Sequence, residues 1–304
     1  MNNIWIPGSF GMLSRAICNI IDKKKYKLFK TSRQDLDLNL YSKVDYFIKK
    51  NNIEYIIMSA AKVGGINANN KYPVDFILKN LKIQNNILEL SLKNNVKKVV
   101  FIGSSCIYPK NCPQPIKEKY FLTGELEQTN SAYAVAKIAG IELVKAINKQ
   151  YNKNFISIML TNLYGENDNF DLLNSHVVGA LINKIVTAKN NSLEAVEIWG
   201  SGKPLRDILY VEDAARAILL CLEKYNSKEI INIGSGREIS IKNLAFLIAK
   251  IVNFNGKFFF NKDYPDGTLR KFLDIKKIKK LGWKPKYDLQ QGLIKTISWY
   301  KNNL

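Results

Sequence analysis

The chain has 304 residues, of which 46% are apolar and 24% are charged, and its formal net charge at pH 7 is +20. This composition predicts a globular protein with one large domain or two unequal ones, and it excludes a fibrous or disordered chain. Because the sequence holds no run of about 18 uncharged apolar residues and no apolar leader, we expect no membrane partner and a cytoplasmic protein.

The distribution of the basic residues argues against nucleic-acid binding, and the spacing of the cysteines argues against a metal site. Lysines are distributed along the whole chain beside many Asn and Ile residues, so we expect no nucleic-acid partner. A positive field would nevertheless attract anionic small substrates. The cysteines show no C-x-x-C spacing, which argues for a reducing compartment and against a metal site. They are Cys18, Cys106, Cys112 and Cys221.

The first half of the chain alternates short apolar runs with longer amphipathic segments, which predicts βαβ units. The predicted strands are Asn3–Ile6, Tyr26–Phe29, Tyr55–Met58, Lys98–Ile102 and Phe155–Leu160. The predicted helices are Met12–Ile21, Ser42–Lys50, Pro73–Asn94 and Ala132–Tyr151. We therefore expect an α/β fold with a doubly wound parallel Rossmann sheet, whose ligand crevice lies at the carboxyl ends of the strands.

After residue 165 the sequence pattern changes to loops rich in Asn, Asp and Gly between isolated helices and strands. The predicted helices are Val177–Lys189, Val211–Leu222, Ile241–Ile251 and Leu289–Tyr300, and the predicted strands are Ile230–Ile233 and Phe258–Phe260. We expect residues 1–165 to form the Rossmann domain. Residues 166–304 are expected to form a smaller mixed α/β lobe that returns some elements to the large domain.

A glycine-containing loop follows the first predicted strand and opens the first helix. Its residues Gly8, Ser9, Phe10, Gly11 and Met12 occupy the place where backbone N–H groups at a helix N-terminus bind a pyrophosphate. Ser14 stands where the G-x-x-G-x-x-G pattern has its last glycine. A plain tight turn is the alternative interpretation, and the strand–helix context favours dinucleotide binding.

Two further loops predict the rest of the cofactor site. The end of the second strand, Phe29 to Arg33, has no carboxylate for a ribose 2′-hydroxyl, whereas Arg33 or Lys30 could hold a 2′-phosphate. This favours NADPH over NADH, and the alternative is a solvated basic turn. Small residues follow the third strand and would allow the chain to pass under a cofactor, or they form an ordinary loop. The segment includes Ala60, Ala61 and Lys62.

Tyr133 and Lys137 lie four residues apart in a predicted helix, so their side chains share one face about 5–6 Å apart. An ammonium at that distance, aided by the positive charge of the oxidised cofactor, would lower the pKa of the phenol. Ser104, at the end of a buried strand, would donate a hydrogen bond to a substrate carbonyl. Together these three residues predict reduction of a carbonyl by a nicotinamide.

Several motifs beyond this triad extend over nearly the whole chain. They are residues 60–65, 103–110, 133–140, 161–165, 168–170, 174–177, 199–202 and 265–268, the last followed by Arg270-Lys271. In these segments the chain resembles the extended short-chain dehydrogenases/reductases and, within them, the GDP-L-fucose synthases. The resemblance implies an NADP(H)-binding domain over residues 1–165 and a nucleotide-sugar-binding lobe over most of residues 166–304.

The resemblance also implies a second chemistry. Protons at C3 and C5 of a 4-keto sugar are acidic because their removal gives an enolate that extends onto the C4 carbonyl. By resemblance Cys106 is the base and His176 the acid, and thiol and imidazole have pKa values near neutrality. The alternatives are a small buried hydrophobe for Cys106 and a hydrogen-bonded structural residue for His176, the single histidine of the chain.

The implied ligand contacts fall into two sets. Cofactor contacts beyond the loops are Tyr133, Lys137, Asn162, Leu163 and His176. Substrate contacts are Ser104, Ser105, Cys106, Asn162, Val177, Lys184, Trp199, Arg206 and Lys271. Guanidinium and ammonium groups suit phosphate oxygens, although Lys271 in the run Arg270-Lys271 is alternatively a solvated charge. Phe10 stands where family members often carry Arg, which weakens the prediction of NADPH more than that of the reaction.

Together with the catalytic residues, the resemblance implies an NADPH-dependent enzyme that converts a GDP-4-keto-6-deoxy sugar of the mannose type to GDP-L-fucose or a related sugar, by C3/C5 epimerisation and C4 reduction. One alternative keeps the C4 reduction of a hexose or heptose and leaves epimerisation to a separate enzyme. Another is a non-catalytic NADP-binding module. A homodimer formed through Pro73–Asn94 and Ala132–Tyr151 is expected by analogy.

Overall fold

The computed structural model describes residues 1–172 and 175–304. The strands are β1 Asn2–Pro7, β2 Tyr26–Thr31, β3 Tyr55–Met58, β4 Lys98–Ser104, β5 Ile156–Leu160, β6 Asn162–Tyr164, β7 Ala195–Trp199, β8 Leu205–Arg206, β9 Ile208–Tyr210, β10 Ile231–Ile233, β11 Ile239–Ser240, β12 Lys257–Asn261 and β13 Arg270–Lys271. The helices are α1 Met12–Ile20, α2 Tyr41–Lys50, α3 Ile66–Lys71, α4 Pro73–Lys93, α5 Ser131–Tyr151, α6 Val177–Asn190, α7 Val211–Lys224, α8 Ile241–Val252, α9 Lys276–Lys280 and α10 Leu289–Asn302.

A six-stranded parallel sheet with the order β10-β5-β4-β3-β1-β2 forms the centre of the fold. The strands β4 and β5 are buried over almost their whole length, as expected for parallel strands covered by helices on both faces. The chain leaves β1 for β2 on one side and returns for β3 on the other. The carboxyl ends of β1 and β3 therefore flank a topological switch point, where ligands bind in such sheets.

The predicted α/β fold is confirmed, and each predicted strand and helix occurs with ends within two residues of the prediction. Local signals explain the helix boundaries. Pro73 opens α4 at its first turn, Asp288 and Gln291 form a capping box on α10, and Asn152 ends α5 in the left-handed conformation. Within the described ranges, no helix is both long and apolar enough to cross a membrane.

The buried apolar residues form two clusters. The larger one surrounds the six-stranded sheet, and the smaller one lies between α6, α8, α10 and the β7–β12 sheet. Elements from beyond residue 165 also contribute to the larger cluster, since β10 pairs with β5 and α7 packs against α1.

Candidate active site

A cleft of about 670 Å³ opens at the carboxyl ends of the central strands. Loops from β1, β2, β3 and β4, the start of α5 and the segment before α6 all contribute to it. It contains these residues predicted from the sequence: Gly8, Gly11, Met12, Arg33, Ala60, Ala61, Lys62, Ser104, Tyr133, Lys137, Asn162, Leu163 and His176. Its volume lies within the range of about 300–1,000 Å³ that is typical of cofactor and ligand pockets.

The glycine loop packs tightly against the loop that follows β3. Gly8 has a φ of +69°, and a Cβ atom added there would lie 3.1 Å from the Cβ of Ala60. Gly11 is the N-cap of α1, so the first N–H groups of that helix point towards the cleft. Ser14 fits in place of glycine because its buried hydroxyl bonds the Ser59 hydroxyl at 2.8 Å.

Two other residues of this loop do not line the cleft. The Ser9 hydroxyl is buried, where it donates to the carbonyl of Ile6 and accepts from the Thr31 N–H at 3.2 Å. The Phe10 ring is 54% exposed and stays beside Arg15, whose Nε donates to the Phe10 carbonyl at 2.9 Å. The Ser9 hydroxyl is therefore already engaged by the protein backbone, whereas the Phe10 side chain lies on the surface beside the cleft-lining residues.

The segment 29–33 holds no carboxylate, but the loop that follows the second strand brings one to the cleft. Asp37 lines the cleft together with Arg33. Asn39 donates to the Asp37 carboxylate from its backbone N–H at 3.0 Å and its side chain at 2.7 Å, and these bonds, aided by Arg33, lower the pKa of Asp37. The sequence reasoning stopped at Arg33, whereas the loop turns back towards the cleft four residues later.

Ser104, Tyr133 and Lys137 meet where β4 ends beneath α5. The Ser104 hydroxyl accepts from the N–H of Cys106 at 3.3 Å and so begins the short 3-10 helix Ser105–Ile107. The Lys137 ammonium donates to the carbonyl of Ile102 at 2.8 Å and lies 5.8 Å from the centroid of the Tyr133 ring. The spacing predicted from the sequence is therefore present.

The predicted lowering of the phenol pKa by Lys137 is wrong for the protein alone. Burial raises the pKa of Tyr133, and the same burial lowers the pKa of Lys137 to about 8. Desolvation disfavours both charged forms more strongly than the two groups stabilise each other. Tyr133 thus holds its proton in the free protein, which suits a group that donates a proton.

Cys106 and His176 lie in different surroundings. Cys106 is 5% exposed in the 3-10 helix after Ser104, and burial raises the pKa of its thiol while Lys271 opposes that effect. His176 is the N-cap of α6 and lines the cleft, and desolvation lowers the pKa of its imidazole. Asn174, part of the motif around His176, lies outside the described residues.

Arg206 and Lys271 face each other on the neighbouring short strands β8 and β13. Arg206 is half-buried and donates to the carbonyl of Asp266 at 3.4 Å. Lys271 is half-buried as well, and desolvation lowers its pKa, an effect that Cys106 opposes and Arg206 reinforces. The alternative of a solvated charge at Lys271 is therefore wrong.

Trp199 and Lys184 belong to one aromatic and cationic group. The Trp199 ring stacks on Tyr264 with centroids 4.3 Å apart, and the Lys184 ammonium lies 4.3 Å above the Trp199 ring. The sequence reasoning missed Tyr264, since an exposed Tyr in a loop carries no pattern. Val177 is half-buried in the first turn of α6, whereas the Ser105 side chain is buried. None of the five residues Ser105, Val177, Lys184, Trp199 and Tyr264 lines the cleft itself.

Comparison with known proteins shows to which family the chain belongs. The NAD dependent epimerase/dehydratase family matches residues 4–234. The chain belongs to this family. It is 48% identical over 301 residues to the GDP-L-fucose synthase of Sinorhizobium fredii, covering 99% of this chain and 96% of that protein. It is 40% identical over 310 residues to the GDP-L-fucose synthase of Escherichia coli, covering 99% and 97%.

Solved structures of the epimerase/dehydratase type agree with this assignment. A GDP-6-OMe-4-keto-L-xylo-heptose reductase from C. jejuni superposes with a TM-score of 0.93 at 34% identity, covering 100% of this chain and 98% of that one. A GDP-L-fucose synthetase from Naegleria fowleri bound to NADP gives 0.90 at 30% identity, covering 99% and 94%. The resemblance predicted from the sequence is confirmed.

The residues of the cleft fit the dinucleotide cofactor that the family name implies. The close approach of Gly8 to Ala60 leaves backbone rather than side chains at the mouth of the first helix. Arg33 would offer a cation to a phosphate, and Tyr133 and Lys137 line the same cleft, where a nicotinamide would react. The cleft thus combines a glycine loop at a helix N-terminus with a buried phenol.

Proposed function

We propose that this protein is an NADPH-dependent enzyme that converts a GDP-4-keto-6-deoxy sugar of the mannose type to GDP-L-fucose or a related GDP-6-deoxy sugar. The conversion combines epimerisation at C3 and C5 with reduction of the C4 keto group. The observation that carries the proposal is the meeting of Ser104, Tyr133 and Lys137 in the cleft, with Cys106 two residues beyond Ser104. The names and identities of the relatives support the substrate class.

The reduction uses the residues at the end of β4 and the start of α5. NADPH, when bound, supplies the hydride. The Ser104 hydroxyl donates a hydrogen bond to the C4 carbonyl and Tyr133 gives its proton to the C4 oxygen. Lys137, fixed by the Ile102 carbonyl at 2.8 Å, stabilises the phenolate that remains. The buried phenol begins the cycle protonated, as this direction of transfer requires.

The epimerisation uses Cys106 and His176 on opposite faces of the sugar. Cys106 removes the proton at C3 or C5, His176 returns one from the other face, and Ser104 and Tyr133 donate hydrogen bonds to the enolate oxygen at C4. Cys106 must act as a thiolate, which its burial disfavours and the ammonium of Lys271 favours.

The remaining residues bind the two ligands. Residues 1–165 hold NADP(H), with backbone contacts from residues 8–12 and side-chain or backbone contacts from residues 33, 60–62 and 162–163. Residues 166–304 hold mainly the nucleotide sugar. Its diphosphate is bound by Arg206 and Lys271, and its other groups contact Ser105, Asn162, Val177, Lys184 and Trp199.

A homodimer and a cytoplasmic location belong to the same proposal. The helices α4 and α5 pack against each other and expose apolar side chains, among them Val74 at 64%, Leu78 at 50% and Val135 at 43%. A second copy would cover them. The four cysteines are free thiols, which suits a reducing compartment.

A second candidate function is C4 reduction alone. The burial of Cys106 and the likeness to a structure named as a heptose reductase favour it. Deuterium uptake at C3 and C5 of GDP-4-keto-6-deoxymannose in heavy water, without NADPH, separates the two functions. We expect uptake by the native protein and none by Cys106→Ser. No uptake by the native protein, or equal uptake by Cys106→Ser, would remove the epimerase assignment.

A further inference from the structure

The side chain of Gln114 forms hydrogen bonds with the backbone on both sides of Lys271. Its amide nitrogen donates to the carbonyl of Arg270 at 3.1 Å, and its amide oxygen accepts from the N–H of Phe272 at 3.0 Å. These are the donor and acceptor that a neighbouring strand would present. The Gln114 side chain therefore replaces the backbone hydrogen bonds of a neighbouring strand beside Lys271.

The strand β13 needs such a partner because it is short and lies at an edge. It comprises Arg270 and Lys271, and it pairs with β8 on one side. On the other side, Ile116 exchanges backbone bonds with Phe272 at 2.7 Å and Asp274 at 2.8 Å. The Gln114 amide continues this pairing past Phe272 to the peptide groups that flank Lys271.

Lys271 lies beside a second cation, which explains why a fixed backbone position at Lys271 matters for binding. Its ammonium lies near the guanidinium of Arg206 on the adjacent strand, and each cation repels the other when no anion is bound. Glu127, itself paired with Lys110 at 3.2 Å, is the acidic neighbour. The hydrogen bonds of Gln114 fix the peptide groups on both sides of Lys271, so its side chain starts from a fixed backbone position beside Arg206, from which both cations can reach one diphosphate.

The same loop also carries the reactive thiol. Cys106 lies at the start of the segment 105–116 that follows β4, and Gln114 lies near its end. Lys271 acts on the Cys106 thiol through space. The backbone position of Lys271 is thus set by the loop that carries Cys106.

We propose that Gln114 is a positioning residue that holds Lys271 beside Arg206, at the proposed diphosphate site. This rests on the proposed function for the identity of the ligand. Gln114 is not among the residues that line the cleft, so its replacement should weaken nucleotide binding while leaving hydride transfer in the saturated complex almost unchanged.

The test compares Gln114→Met, which keeps the length of the side chain and removes both hydrogen bonds, with Gln150→Met at an exposed position on α5 as control. GDP binding to the free protein is measured by calorimetry, and KM and kcat are measured with GDP-4-keto-6-deoxymannose. We expect the GDP Kd and the sugar KM of Gln114→Met to rise about fivefold to tenfold, with kcat within about twofold. Gln150→Met should match the native protein.

A double variant shows whether Gln114 acts through Lys271. In a Lys271→Met background, Gln114→Met should add less than about twofold to the GDP Kd. Unchanged GDP affinity in Gln114→Met, or a full additional loss in the double variant, would overturn the proposal. If the native protein binds GDP but does not turn over this sugar, the proposed function fails and the GDP titrations still decide the role of Gln114. If it does not bind GDP at all, both are overturned.

Discussion

Replacing Lys137 by Met should make the protein more stable at neutral pH while abolishing reduction. Lys137 is 3% exposed, and burial lowers its pKa from the ordinary 10.5 to about 8. At pH 7 that difference corresponds to about 3 kcal/mol of unfavourable free energy in the folded state. Met fills a similar volume but loses the bond to the Ile102 carbonyl, which contributes about 1 kcal/mol. The expected net gain in the free energy of unfolding is about 2 kcal/mol.

The dependence of this gain on pH identifies its cause. Because the pKa of Lys137 is lower in the folded than in the unfolded state, the unfolded chain binds more protons, and native stability rises as pH increases from about 8 towards 10.5. At pH 9.5 the unfavourable term falls to about 1.5 kcal/mol, so the advantage of Lys137→Met should nearly vanish. Urea unfolding at pH 7 and 9.5 measures both values.

A matched control lies outside the cleft. Lys98 is 5% exposed, its pKa is also lowered to about 8 by burial, and its ammonium donates to the carbonyl of Tyr225 at 2.7 Å. Lys98→Met should show the same trend in stability with pH and keep its reductase activity. A Lys137→Met protein that is less stable at pH 7 by the same amount as at pH 9.5 would refute the reasoning from burial.

Two further substitutions test the cofactor end of the cleft. Asp37→Asn removes a carboxylate beside Arg33, and with it the negative charge that would repel a 2′-phosphate. In titrations of the free protein, the affinity ratio of 2′,5′-ADP to 5′-ADP should therefore rise about tenfold. An unchanged ratio would place Asp37 away from the ribose. Gly8→Ala places a Cβ atom on a residue with a φ of +69°, 3.1 Å from the Cβ of Ala60. The free energy of unfolding should therefore fall by about 1–2 kcal/mol, and the affinity for NADPH should fall as well. Native NADPH affinity of the variant in calorimetry would contradict the assigned role of the loop.

The long elements of the fold were predictable from sequence because their apolar patterns are strong and their ends carry local signals. The segment from Lys98 to Gly103 is continuously buried and has the pattern of a central parallel strand. Short strands such as β8 and β13 have two residues each, which is too few for any periodicity. Their existence depends on pairing with residues that are far away in the sequence.

The candidate site likewise contains residues that local sequence predicts and residues that only the folded chain brings together. The spacing of Tyr133 and Lys137 and the position of Ser104 at a strand end are local properties, so the sequence predicts their meeting. The return of Asp37 to the cleft and the hold of Gln114 on β13 depend on how loops close in three dimensions. The pKa values also required the structure, since burial rather than the neighbouring charge dominates at Tyr133.

The most direct test follows NADPH oxidation by the purified protein with GDP-4-keto-6-deoxymannose, in the native form and as Tyr133→Phe. We predict turnover to GDP-L-fucose by the native protein and a loss of about 100-fold or more in kcat for Tyr133→Phe, which lacks the proton donor. Deuterium exchange at C3 and C5 should persist in that variant. Equal turnover by the two proteins would contradict the assignment of the reducing proton to Tyr133.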